Sequence, residues 1–111
     1  MNIIFSPVSD FPFPLDLRKQ GDSLIINGEV FDFSPLGNGD TLPMNAISGR
    51  WFRSSVERRE DGVIVLTIAL PIPANASLDQ RFPADLINVP DGSVLLPQPL
   101  PAPKQPEESS E

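Results

Sequence analysis

Ser-Leu-Ile-Ile-Asn-Gly-Glu-Val-Phe-Asp-Phe-Ser, residues 23–34, decides the fold. Two apolar, β-prone runs flank Asn27-Gly28. A type I′ turn needs φ > 0 at both central residues, and Asn and Gly tolerate it at the least cost. With a two-residue loop there, Ile26 faces Glu29, Ile25 faces Val30, Leu24 faces Phe31 and Ser23 faces Asp32. Opposed residues share a face of the ribbon. One face then carries Leu24, Ile26, Phe31 and Phe33, and the other carries Ser23, Ile25, Val30 and Asp32. A slip of one residue would scatter the apolar set.

A second hairpin is expected over residues 51–70, turning at Glu60-Asp61-Gly62. A two-residue loop mixes the faces. A three-residue loop with Gly62 in the left-handed region opposes Phe52 with Leu70, Ser54 with Ile68, Val56 with Leu66 and Arg58 with Ile64. Phe52, Val56, Ile64, Leu66, Ile68 and Leu70 then share one face, and Arg53, Ser55, Glu57, Thr67 and Ala69 share the other. Working outward, residues 15–19 alternate as a half-buried strand, and Gln20-Gly21-Asp22 turns into the first hairpin to give a meander. Residues 2–5 read as an edge strand ended by Pro7. Residues 43–47 and 78–81 each allow one helical turn, the first with Met44, Ala46 and Ile47 facing inward. Pro71 opens a loop, residues 82–89 return as a strand, and Asp91-Gly92 turns into Val94-Leu95-Leu96.

The fold class that follows is all-β: a small antiparallel sandwich or half-open barrel of about six to eight strands. It is built from two hairpins plus flanking strands, within a single domain at residues 1–96. Fourteen prolines in 111 residues argue against long helices. From residue 97 to 111 the chain turns to Pro, Gln, Glu and Ser, a composition that cannot offset chain entropy by burial, so an extended or disordered tail is expected.

Composition narrows the chemistry. Neither histidine nor cysteine is present, which removes the usual general base, the commonest metal ligand and any disulfide. No phosphate-cradling glycine loop occurs. No catalytic residue, metal or cofactor is therefore expected. Fifteen acids against eight bases give a net charge of −7, which disfavours a phosphate backbone as partner. No apolar run approaches the ~18 residues of a membrane helix, and residues 1–7 lack the basic and apolar regions of a signal peptide.

Three groups of residues remain as candidates. Asp16, Asp22, Asp32 and Asp40 are the raw material for an acid-only hydrolase or a Ca²⁺ site, against the plainer reading that they solvate turns. Phe11, Phe13, Trp51 and Arg53 are candidate partner contacts, since aromatic residues and arginine dominate binding hot spots. For Trp51 the competing reading is a core or core-rim residue. The tail suggests an adaptor presenting a proline-rich ligand, against a plain solubilising spacer.

One group of proteins shares this pattern of residues. Asn27-Gly28-Glu29-Val30-Phe31-Asp32-Phe33-Ser34, then Leu42-Pro43, Ala46-Ile47 and Trp51-Phe52, resembles small proteins encoded in the tail gene region of tailed bacteriophages and prophages. Val56-Glu57-Arg58, Asp61-Gly62, Leu66-Thr67, Leu70-Pro71, Asn75-Ala76 and Arg81-Phe82-Pro83 continue the likeness, which spans residues 2–90. The resemblance implies a non-enzymatic structural accessory or tail-fibre assembly protein. Its partners would be other tail proteins, with homo-oligomers an option. Its place would be the bacterial cytoplasm during assembly, and the virion if it is retained. It supplies no active-site residues.

Overall fold

The computed structural model describes residues 1–9, 14–47 and 50–98. It is an all-β sandwich of two four-stranded sheets. The elements are β1 (Asn2–Ser9), β2 (Leu17–Gln20), β3 (Ser23–Ile26), β4 (Glu29–Asp32), β5 (Thr41–Leu42), β6 (Val56–Arg58), β7 (Ile64–Ile72) and β8 (Gly92–Ser93). A 3₁₀ turn (Met44–Ala46) and one helical turn, α1 (Leu78–Arg81), complete the described chain. One sheet has the order β1-β7-β6-β5 and the other β4-β3-β2-β8.

The first hairpin has the register that its pattern dictates: Ile26 opposes Glu29 and Ser23 opposes Asp32. Asn27 and Gly28 sit at φ 51° and 85°, as a type I′ turn requires. Asn27 does more than turn. Its Oδ1 accepts from the Asp16 N–H (2.6 Å) and its Nδ2 donates to the Pro14 carbonyl (2.9 Å), which pins the approach to β2. β2 then joins β3 through Gly21, at φ 59°, and completes the meander.

The second hairpin turns through residues 60–62 with Gly62 at φ 89°, and Arg58 opposes Ile64. Farther out the register departs from expectation. Phe52 bridges Ile68, not Leu70, while Glu57 opposes Val65. Two extra residues are therefore taken up in the bend at Arg53-Ser54-Ser55. An even slip preserves the pleat, so Phe52 still points inward at 5% exposure. Its ring meets Phe31 and Phe33 edge-on, at centroid distances of 5.0 and 5.7 Å, and closes the sandwich.

The prolines were expected to end β1 and begin a loop after β7. Instead the two strands run parallel from Asn2↔Val65 to Ser9↔Ile72. Main-chain direction explains why. Ile3 exchanges both of its hydrogen bonds with Leu86 (2.8 Å each), so the odd residues of β1 face the outer edge, Pro7 among them. In β7, Thr67 and Ala69 bond to Arg53 and Trp51, and Pro71 comes next in that series, past Trp51. Neither proline nitrogen is asked to donate across the β1–β7 ladder.

Three further expectations need correction. Residues 82–89 form no strand: Pro83 interrupts them and Pro90 follows, Asn88 sits at φ 53°, and Leu86 alone bridges to Ile3. The 3₁₀ turn buries none of its residues, with Met44 exposed and Ile47 half-buried, because it lies beyond the short edge strand β5. Ala69, expected on the polar face, is fully buried: it lies across from Trp51, itself buried, whose carbonyl accepts the Ala69 N–H.

The core is Ile3, Leu17, Leu24, Ile26, Val56, Leu66 and Ile68, each almost inaccessible, with the phenylalanines between the sheets. Each such side chain contributes about 1.5–3 kcal/mol from burial. Arg58 ties the layers at one end. Its guanidinium donates to the carbonyls of Leu36, Gly62 and Phe33 and pairs with Asp22 at 3.0 Å.

Candidate functional site

The segment after β7 builds a surface that a water-exposed sandwich does not need. Ser77 opens α1 with a capping box. Its Oγ accepts from the Gln80 N–H (3.1 Å), and the Gln80 side chain accepts from the Ser77 N–H (3.0 Å). This pairing turns Ser77 and Gln80 inward, where both are buried. The opposite side of the turn therefore faces solvent, leaving Leu78 and Phe82 74% and 77% exposed. They are neighbours, one helical turn apart, joined by the Phe82 N–H to the Leu78 carbonyl (2.8 Å).

The chain then runs along the edge of β1. Leu86 is held by Ile3, the Asn88 N–H donates to Asn2 Oδ1 (3.0 Å), and the Val89 N–H donates to the Met1 carbonyl (3.0 Å). Val89 is buried by this docking, which turns Ile87 outward at 61% exposure. After β8, the Val94 N–H bonds to the Leu17 carbonyl (2.9 Å) and the Val94 side chain enters the core, so Leu95 points out at 78% exposure.

Between these two passes lies an apolar trough made of two adjoining grooves, each of 350 Å³. Leu86 and Leu95 wall both. Ile87, Val89 and Val94 extend the first, and Ala84, Leu96 and Pro97 extend the second. Asp85 stands on the first and Asp79 on the second. The far end is fixed by Ser77 Oγ, which donates to the Gln98 carbonyl at 2.6 Å. Ile87 and Leu95 stand exposed on this trough, and an exposed apolar patch of this kind marks contact surfaces on small proteins. The trough offers apolar cover and two carboxylates, suited to an extended apolar segment carrying a cation.

The candidates named from sequence lie elsewhere. Trp51 is 7% exposed and belongs to the core, with its carbonyl accepting from the Ala69 N–H (2.7 Å). Its indole therefore presents no anchor to solvent. Arg53 is exposed, and its N–H donates to the Thr67 carbonyl (2.9 Å). Phe11 and Phe13 lie outside the described residues.

The acids serve the scaffold. Asp22 pairs with Arg58, and Asp40 accepts from the Gly37 N–H (3.0 Å). Asp16 contributes its main-chain N–H and carbonyl to Asn27. Asp32 accepts from the Ser34 N–H and the Ser23 hydroxyl, and these bonds, the Ser34 amide first, hold its carboxyl below the usual range. Among the described residues no three acidic side chains group as metal ligands. Asp91 closes the turn near the trough. It pairs with Lys19 at 2.6 Å and accepts from the Gly21 N–H (3.1 Å), and the Lys19 bond is the main cause of its lowered pKa.

Sequence reasoning placed a helical turn at residues 78–81 but did not find the trough. The pair Leu78 and Phe82 at helical spacing beside polar Asp79, Gln80 and Arg81 signalled only the exposed apolar side of that turn. No protein-family model, curated protein or solved structure matches the chain.

Proposed function

We propose that this protein is a non-enzymatic accessory of bacteriophage or prophage tails. It would serve as a structural component or a tail-fibre assembly factor, and would act by binding other tail proteins. The observation that carries the binding role is the apolar trough, on which Ile87 and Leu95 stay exposed. The tail assignment rests on the resemblance across residues 2–90. The acidic surface and the shortage of general bases favour binding over catalysis. Assembly would take place in the bacterial cytoplasm.

Mass spectrometry of purified phage particles, together with co-purification of the tagged chain during phage production, tests the reading. A tail component captured by the wild-type chain and lost with Leu95→Asp supports it. Absence from particles together with no binding to any tail component would refute it.

A further inference from the structure

We infer that the trough of one molecule receives the proline-rich C-terminal segment of a second copy, so that the protein self-associates head to tail. This rests on the reading of the trough as a protein-docking surface and names its occupant. The argument begins where the described chain ends. Pro97 and Gln98 line one end of the second groove, and Ser77 fixes the Gln98 carbonyl there. Thirteen residues follow, beginning Pro99-Leu100-Pro101-Ala102-Pro103-Lys104.

Their sequence sets a direction. Prolines stand at 97, 99, 101 and 103, and residues 96, 98, 100 and 102 each precede one. Proline fixes its own φ, and the residue before it is pushed to extended geometry. A run with one restriction or the other at every position favours a straight polyproline II rod. A rod of that kind, continuing from Gln98, would extend away from the groove that Gln98 lines. Folding back over Leu95 and Leu86 would need a reversal at positions that disfavour one. A neighbouring copy's trough has no such requirement.

The chemistry of the segment matches the site. Leu100 is the large apolar side chain among small prolines and alanine, and would find apolar cover between the walls that Leu86 and Leu95 supply. Lys104, the segment's sole cation, lies roughly 19 Å beyond Gln98 at 3.1 Å per residue. It would meet the carboxylates of Asp79 and Asp85 that stand on the two grooves. A preset rod also loses little entropy on docking. The tail and the trough are different patches, so the contact is heterologous and closes into a ring or propagates as a filament.

Complementation between two full-length variants tests this. Leu100→Asp spoils the segment and leaves the trough intact, and Leu95→Asp spoils the trough and leaves the segment intact. Leu95 is exposed and Leu100 lies outside the described residues, and matching urea midpoints will check that both variants fold. By size-exclusion chromatography with light scattering, the wild type should gain mass with concentration, and each variant alone should remain a single protomer. Their equimolar mixture should form a dimer and nothing larger, because one good segment meets one good trough. The association of each variant with itself should be weaker than wild type by at least about tenfold.

Three results would each overturn the inference: a wild type that stays monomeric throughout, single variants that still assemble, or a mixture that stays monomeric. If the wild type is monomeric yet Leu95→Asp abolishes binding to a tail protein, the inference falls and the proposed function stands. If neither association nor tail-protein binding is seen, both fall.

Discussion

Replacing Arg58 with Met should cost about 3 kcal/mol, and the source of that cost is specific. The side chain is 12% exposed and donates to three main-chain carbonyls, those of Leu36, Gly62 and Phe33. Each partly buried bond of this kind is worth about 1 kcal/mol net. Met preserves most of the aliphatic packing, so the loss falls on the bonds. The ion pair with Asp22 adds little, because that carboxylate is 46% exposed and screened. Asp22→Asn should therefore cost under about 1 kcal/mol.

Urea unfolding followed by Trp51 fluorescence measures both variants, with a lower midpoint at unchanged slope marking a pure stability change. For Arg58→Met the melting temperature should fall by about 15 °C in a domain of this size. If Arg58→Met costs under about 1 kcal/mol, or Asp22→Asn costs as much as Arg58→Met, the carbonyl clamp is not what joins the sheets.

Three further outcomes follow from particular residues. Gly28→Ala should destabilise by about 1–2 kcal/mol through backbone strain alone, since its φ is 85° and a Cβ there meets nothing within 4 Å. Asn27→Gly keeps the turn but frees the Asp16 N–H and the Pro14 carbonyl, and equilibrium unfolding should show a loss of about 1–2 kcal/mol. Asp91 has its pKa lowered, chiefly by Lys19, so its contribution is present above pH about 4 and is lost as pH falls through the depressed value. Melting temperatures of wild type and Asp91→Asn should differ at neutral pH and converge in acid.

What was legible in the sequence depended on how local the determining contacts are. The Asn27-Gly28 and Gly62 turns fix the registers of both hairpins, and alternation along Leu24, Ile26, Phe31 and Phe33 assigns the core face. The β1–β7 pairing was hidden, because it joins Asn2 to Val65 across the chain and places Pro7 and Pro71 where no donor is needed. The bend at Ser54-Ser55 was hidden too, since an even slip leaves the apolar pattern unchanged. At the candidate site, Val94 and Leu95 are both apolar neighbours. Only the bond from Val94 to the Leu17 carbonyl determines which of them is buried. Trp51 read as a core or core-rim residue in preference to an anchor, and its burial beside Ala69 makes it core.

The central claim is that the trough at residues 79–98 binds protein. The direct test measures the affinity of the purified chain for a tail protein identified in phage particles, with wild type, Ile87→Asp and Leu95→Asp compared in parallel. Both variants should unfold at the wild-type urea midpoint and bind at least about tenfold more weakly. Equal affinity for all three chains, or no affinity for any tail protein, would contradict the account.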